Sequence, residues 1–560
     1  MAKNIKDKLA RLTKIELEDG IESATRNIII ESTTNDYIAK ILKDDPLVIP
    51  PSYTTEHTLL KDINDTIEVA RTLTQKGNNM SYLETLTPWQ VAQLILAFHP
   101  VRSIAMSGIT ASSEYDILGL YQNSGENEGL YSTSRVEMQK LINSYNISLN
   151  DNQITQTINL ITAGAPRSEP TRERDLVAVN NGIFNYATKE LHPFSSEYIF
   201  LSKSKVDYVE NPKNPVIFNE EDQTYWDVDS WMEELSDDPE IVNLLWEIMG
   251  AVIRPNVRWD KSAWFYSEVG NNGKGTLCTL MRNLCGPGSH TSIPLDDFSK
   301  DFYLEPLVTS SAIIVDENDV GTYIDKAANL KAVITNDVIL INRKFRAPIA
   351  HTFYGFMIQC LNEFPRIKDR SDSFYRRQLF VPFEKSFTGR ERKYIKDDYL
   401  NREEVLQYVL HKVLNTNFYR LSEPKASLLT LEEYKAYNDT IRDFMDEFSD
   451  SFVWDLLPYS FLYDLYRPWH TKNHPNGGMV GRNTFIKNLR GIIKDYPEWE
   501  ASHTKQRIRS QGRMEKSEPL INKWHLSDWY NPNYQGSDLA KRATPEPAQA
   551  YSGLLRTDSQ

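Results

Sequence analysis

Gly270-Asn271-Asn272-Gly273-Lys274-Gly275-Thr276 is the stretch on which the fold turns. An apolar run, Trp264-Phe265-Tyr266, precedes it, and a helix-like segment, Leu277-Cys278-Thr279-Leu280-Met281, follows. Strand, glycine-rich turn, lysine, hydroxyl and helix together describe the phosphate cradle of a P-loop. In such a cradle glycines let backbone N–H groups face the phosphates, the lysine (Lys274) reaches the β/γ oxygens, and a hydroxyl (Thr276) holds Mg²⁺. The helix N-terminus adds positive dipole. Two positions depart from the usual pattern. Glu268 stands where the first glycine is expected, and Gly275 separates Lys274 from Thr276. Taken alone, the stretch is equally a glycine turn carrying one surface lysine.

The downstream sequence decides between these. Ser311-Ala312-Ile313-Ile314-Val315 is a short β-branched run ending in Asp316-Glu317. It reads as a buried parallel strand with two acids at its carboxyl end, where α/β sheets hold ligands. Asp316 is expected in the Mg²⁺ shell and Glu317 as the group that polarises the attacking water. Gly355–Leu361 is a third apolar run, ending in Asn362, which can orient water at a γ-phosphate. Arg376 and Arg377 lead into a fourth, Gln378–Phe383. An arginine there can reach a neighbouring subunit's ATP and stabilise transition-state charge.

In this order the motifs resemble the superfamily 3 (AAA+) helicases: Asn-Gly-Lys-Gly-Thr, Asp-Glu, Asn362-Glu363-Phe364-Pro365 and Arg376-Arg377. Within them the chain is similar to the phage and plasmid primase-helicase group related to the poxvirus enzyme. The lead-in supports this, with Asn180-Asn181-Gly182-Ile183-Phe184, Leu191-His192-Pro193 and Trp246-Glu247-Ile248-Met249-Gly250. The resemblance covers roughly residues 100–525 and is strongest over 260–385. The layout is similar to that of replication initiator-helicases of phages and staphylococcal pathogenicity islands. It implies a homo-oligomeric ring, a hexamer, with ATP between subunits and single-stranded DNA in the pore. A β-hairpin before the third strand would track the DNA, and Lys344, Phe345 and Arg346 fall in it. Lys331, on the helix before it, would face nucleotide or DNA. Two other readings stay open at this stage: a bifunctional primase-helicase, and a non-enzymatic origin-binding protein with a degenerate P-loop.

Composition sets outer limits. At 560 residues the chain should hold several domains, and 40% hydrophobic with 25% charged residues is globular. It lacks an apolar run of membrane-spanning length and a signal peptide. Cys278, Cys285 and Cys360 form no ligand pattern, so buried free thiols, no structural zinc and a cytoplasmic setting are expected. Net charge is −14, but between Arg467 and Lys523 twelve Lys/Arg face five Asp/Glu. That stretch carries +7 and the remainder −21. A basic module on an acidic body suits a protein that grips phosphate backbone through one part only.

The expected architecture is α/β: a P-loop core with a mixed α+β N-terminal accessory domain and a C-terminal winged-helix module. The divisions are an arm and linker (1–51), the accessory domain (52–200), a helical collar (201–259), the ATPase core (260–390), a helical connector (391–454), the winged helix (455–529) and a disordered tail (530–560). In the accessory domain a hairpin (Ile117–Tyr121 with Gly129–Tyr131) and a helix over 136–142 are expected. In the basic module a helix beginning at Phe461 should stop near Pro468. The next, Asn483–Lys494, should turn Phe485, Leu489 and Ile492 inward and Lys487, Arg490 and Lys494 outward. Two strands, around Lys505-Gln506-Arg507-Ile508-Arg509 and Trp524-His525-Leu526, would form a wing turning at Gly512. The second helix would enter the major groove of an origin duplex and the wing would lie on the backbone.

Overall fold

The computed structural model describes residues 22–44, 49–73, 80–344, 346–473, 479–503, 505–546, 548 and 550–557. Its centre is a parallel sheet of five strands: β1 (Ser262–Tyr266), β2 (His290–Thr291), β3 (Ala312–Val315), β4 (Phe356–Leu361) and β5 (Gln378–Pro382). The spatial order is β2-β3-β4-β1-β5, and every pairing is parallel. β-Branched and aromatic residues on both faces make this a sheet buried on two sides. The period of two divides it into two cores. Phe265, Ile314, Ile358 and Val381 face the helix α1 (Lys274–Cys285), the helix Pro239–Ile253 and the helix Glu403–Leu414. Trp264, Ile313, Met357 and Phe380 face the helix Lys425–Tyr437 through Leu431 and Tyr434. Because β1 lies between β4 and β5, the chain leaves β1 for the far edge and later returns. The loop after β1 therefore opens at a topological switch point.

Between β3 and β4 the hairpin Val338–Arg343 and Arg346–Thr352 forms as expected, antiparallel, with Ile341 opposite Ile349. Its return strand is packed on the N-terminal domain. Ile349 shares a buried cluster with Ile104, Met106, Tyr121, Tyr131 and Ile199, and the Ser107 hydroxyl donates to the Ala350 carbonyl.

The N-terminal core runs from Ile29 to Ala165 and joins helices to a four-stranded sheet. The expected hairpin pairs Leu120 with Ser132 and Tyr121 with Tyr131, and the helix spans Arg135–Tyr145. The helix Glu22–Asp44 buries Ile29, Ile30 and Tyr37 in this core, so this part of the expected arm is an integral element. Residues from Val177 to Trp259 contribute to the core on one face of the central sheet, with Trp226 and Trp231 packed inside it.

The C-terminal core begins at Ile441 rather than near 455 and closes at Leu554. Three corrections fall here. The helix expected to stop near Pro468 runs Tyr459–Asn473. Burial of Trp469 and His470 beyond the proline outweighs the ~3 kcal/mol that an interior proline costs. Trp524 ends the helix Pro519–Lys523, which Glu518 caps, so Trp524-His525-Leu526 is not a wing strand. Ile508–Arg509 pairs instead with Ala550–Tyr551. Residues expected in a disordered tail supply the strand Gly553–Arg556. That strand lies between Leu456–Pro458 and Trp499–Ala501 as the centre of a three-stranded sheet, with Leu554 fully buried.

Candidate functional site

The loop after β1 turns sharply at Asn271 (φ +55°) and Gly273 (φ +89°). A Cβ at Gly273 would approach Leu235 Cδ2 to 2.7 Å, whereas Gly270 has open space. Gly273 caps α1 without a side chain, so the first-turn N–H groups face outward, apart from the Lys274 N–H held by Asn272 Oδ1 at 3.2 Å. Asn272 in turn donates to the Val269 carbonyl and braces the loop. Glu268 is exposed and accepts from the Tyr266 hydroxyl at 2.9 Å, at the edge of the loop.

Lys274 is buried. Its Nζ donates to the carbonyl of Leu361 and to Asn362 Oδ1, each at 2.8 Å. Desolvation holds the ammonium pKa below the usual lysine value, against the pull of Cys360, Cys278 and Glu317. Asn362 Nδ2 donates to Glu317 Oε1 at 3.4 Å. Residues 274, 362 and 317 thus form one hydrogen-bonded chain at the carboxyl ends of adjacent strands. Asn318, also buried, fixes those ends by donating to Gln359 Oε1 and the Cys360 carbonyl and accepting from the Leu295 N–H. Asp316 pairs with Arg282 Nη2 at 2.5 Å, a partner on α1 that sequence reasoning missed. Thr276 lies on the first turn of α1 and lines a cleft on its other side. The three cysteines are free and buried, with Cys278 and Cys360 behind Lys274.

The arginines lie elsewhere. Ser262 is registered with Gln378, and the Ser262 N–H donates to the Arg377 carbonyl. Arg376 and Arg377 therefore stand at the amino end of β1 and β5, a five-residue strand, about 16 Å, from the loop. Arg377 Nη1 donates to the Ser373 carbonyl, and its Nε is buried without a partner. Arg376 is exposed.

At the hairpin tip Lys344 is exposed, Phe345 lies outside the described residues, and Arg346 begins the return strand. Lys331 is tied to Asp369 at 2.6 Å. In the C-terminal module Phe485 and Leu489 are fully buried on the helix Arg482–Ile492. Ile493 is buried where Ile492 was expected to be, Ile492 being half-buried. Lys487, Arg490, Lys494, Lys505, Arg507 and Arg509 are all exposed.

Sequence reasoning also missed the wall opposite Thr276. There Trp231, Leu235, Phe387 and Ile395 face Asn271 and Gly273, with Arg390, Lys393 and Lys396 at the rim. The detectable signal was four cations in seven residues (390, 392, 393, 396), a short way beyond the end of β5 at Pro382.

Two family models match. Residues 265–377, from β1 to the arginine pair, match a family of unknown function, DUF5906. Residues 436–531 match the family described as Poxvirus D5 protein-like. The chain is similar to the poxvirus D5-like proteins. That match bears out the resemblance to the viral-type superfamily 3 primase-helicases and falls on the C-terminal module. No curated protein matches the chain. Among solved structures, the A form apo structure of the NrS-1 C terminal region is 15% identical. It covers 76% of this chain and 98% of that one, with a TM-score of 0.40. A second apo structure of that region (305-718) gives 13%, 77%, 98% and 0.38. JCV helicase bound to a thiazolopyridine compound gives 14% identity, 39% and 64% coverage, and 0.26.

Proposed function

We propose that this protein is an ATP-dependent DNA helicase that works as a homo-oligomeric ring, a hexamer, and serves as the replication initiator of a phage or mobile genetic element. The carrying observation is the chain Lys274–Asn362–Glu317 at the switch point of a five-stranded parallel sheet. It joins a phosphate cation, an amide and a carboxylate within one hydrogen-bonded unit. ATP entering the loop would take the Lys274 ammonium from its carbonyl and amide partners. Asn362 and Glu317 would then be left facing the γ-phosphate and the attacking water. Thr276 and Asp316 are oxygen donors of the kind Mg²⁺ takes, and the ion when bound would neutralise charge on the β- and γ-phosphates. Glu268 is held by the Tyr266 hydroxyl at the edge of the loop.

The arginines, a strand length from their own loop, fit a site completed by a neighbour. Arg376 is the better finger because Arg377 is spent on the Ser373 carbonyl. The hairpin would carry Lys344, Phe345 and Arg346 into the pore. The helices Thr440–Phe448, Tyr459–Asn473 and Arg482–Ile492 with their three-stranded sheet support a winged-helix reading of the C-terminal module. Its exposed Lys487, Arg490 and Lys494 would meet duplex DNA.

A forked DNA substrate with ATP tests this directly. The wild-type chain should unwind it and Lys274→Ala should not. Equal unwinding by the two would remove the proposal.

A further inference from the structure

The Thr276 side of the phosphate loop opens on a cleft of about 320 Å³. One wall is apolar: Trp231 and Leu235 from the segment around the helix Val228–Glu234, and Phe387 and Ile395 from the segment after β5. The later segment is fastened to the loop itself. The Phe387 N–H donates to the Asn271 carbonyl at 2.7 Å, and Asn271 Nδ2 donates to Glu391 Oε1 at 3.1 Å. The rim is mixed, with Arg390, Lys393 and Lys396 beside Glu391 and Asp397. Arg392 is neutralised by Glu234. Lys396 is exposed and, among the described residues, makes no ion pair. Its Nζ lies 4.0 Å from where a Cβ on Gly275 would be, over the first turn of α1.

We infer that Lys396 is a second phosphate ligand of the nucleotide site, acting within the same subunit, and that the Trp231–Phe387 wall receives the base of a nucleoside triphosphate. The inference rests on the nucleotide reading of the loop and adds residues that reading does not assign. Lys274 approaches the loop from the β4 side, and Lys396 stands over the opposite side of the same helix turn. A polyphosphate on the outward N–H groups of α1 would lie between two ammonium groups, a strongly favourable place for several negative charges. The apolar wall lies beyond, at the end of the cleft where no anion is wanted and a planar ring can be covered.

The experiment is isothermal titration of the full-length chain with ATP, ADP and adenosine, comparing wild type, Lys396→Ala, Lys396→Arg and Lys274→Ala. Lys396→Ala should weaken ATP and ADP about tenfold, the scale of one charge-assisted hydrogen bond. Adenosine should be unchanged, and Lys396→Arg should restore most of the loss. A merely structural lysine would lower affinity for all three ligands alike, and that result would overturn the inference. So would Lys396→Ala binding ATP within twofold of wild type while Lys274→Ala loses it, which leaves the nucleotide reading intact. If Lys274→Ala also binds as wild type, both readings fall together.

Discussion

At the residue scale, the resting position of Lys274 decides what can be expected of its neighbours. Its ammonium is desolvated and spends its three donors on the carbonyls of Leu361 and Ser267 and on Asn362 Oδ1. Truncating Asn362 releases one of those donors and also removes the amide facing Glu317. Asn362→Ala should therefore bind ATP at least as well as wild type, yet hydrolyse it about 10²–10³-fold more slowly, the range seen when one positioned polar group is lost. Equilibrium binding with single-turnover hydrolysis separates the two effects, and unchanged turnover would remove Asn362 from the chemistry. Lys274 was legible from its glycine-rich turn, and Asp316, Glu317 and Asn362 because each follows an apolar run, strand ends being where parallel sheets hold ligands. Arg282 and Lys396 were not. Each reaches the site by helix geometry or chain return, and the run of cations around Lys396 announces charge without placing it at the loop.

At the element scale, the hairpin and the N-terminal domain are one packed unit, and His351 lies inside it. Burial, with Arg172 close by, pushes its imidazole pKa from 6.5 down to about 4, against the pull of its bond with the Leu307 carbonyl. The unfolded chain takes up this proton first as pH falls. Stability is complete above about 6.5 and is lost between there and about 4, by at most ~3 kcal/mol from this group. His351→Gln should flatten that part of the melting-temperature profile, and a profile identical to wild type would show that the ring does not contribute. The family resemblance implied this hairpin but not its docking, which depends on Ile104, Met106 and Ile349 meeting across more than 240 residues. The last strand was hidden differently. Leu554 and Leu555 sit in a stretch whose average is Pro, Ser and Ala, and only their pairing with Leu457 and Glu500 reveals them as sheet. Removing residues 550–560 takes away a central strand and its buried leucine. The C-terminal module should lose its cooperative unfolding transition and become sensitive to protease, and survival of the transition would contradict the topology.

At the scale of the whole molecule, charge and sheet polarity make separate demands. The +7 of residues 467–523 sits on a module whose core begins at Ile441, so truncation after 438 should leave nucleotide binding in place. It should abolish tight duplex binding and flatten its salt dependence by about 0.9 per lost phosphate contact. Unchanged duplex affinity would place the DNA contact elsewhere. Sheet polarity is the stricter constraint. All five strands run the same way, so the loop after β1 and Arg376 occupy opposite ends and no bending of one subunit brings them together. If hydrolysis needs both, it needs two copies, and two differently damaged copies can repair each other. Lys274→Ala and Arg376→Ala should each be inactive alone, with Arg376→Ala still binding ATP and falling roughly 10³–10⁵-fold in turnover. Mixed, they should recover part of the wild-type rate. An intact loop from the Arg376→Ala copy then faces an intact arginine from the Lys274→Ala copy at a fraction of the boundaries. Recovery should peak near equal proportions and vanish on dilution below the assembly concentration. A mixture no more active than its parts would mean that loop and arginine never share a site, and the ring mechanism would have to be abandoned.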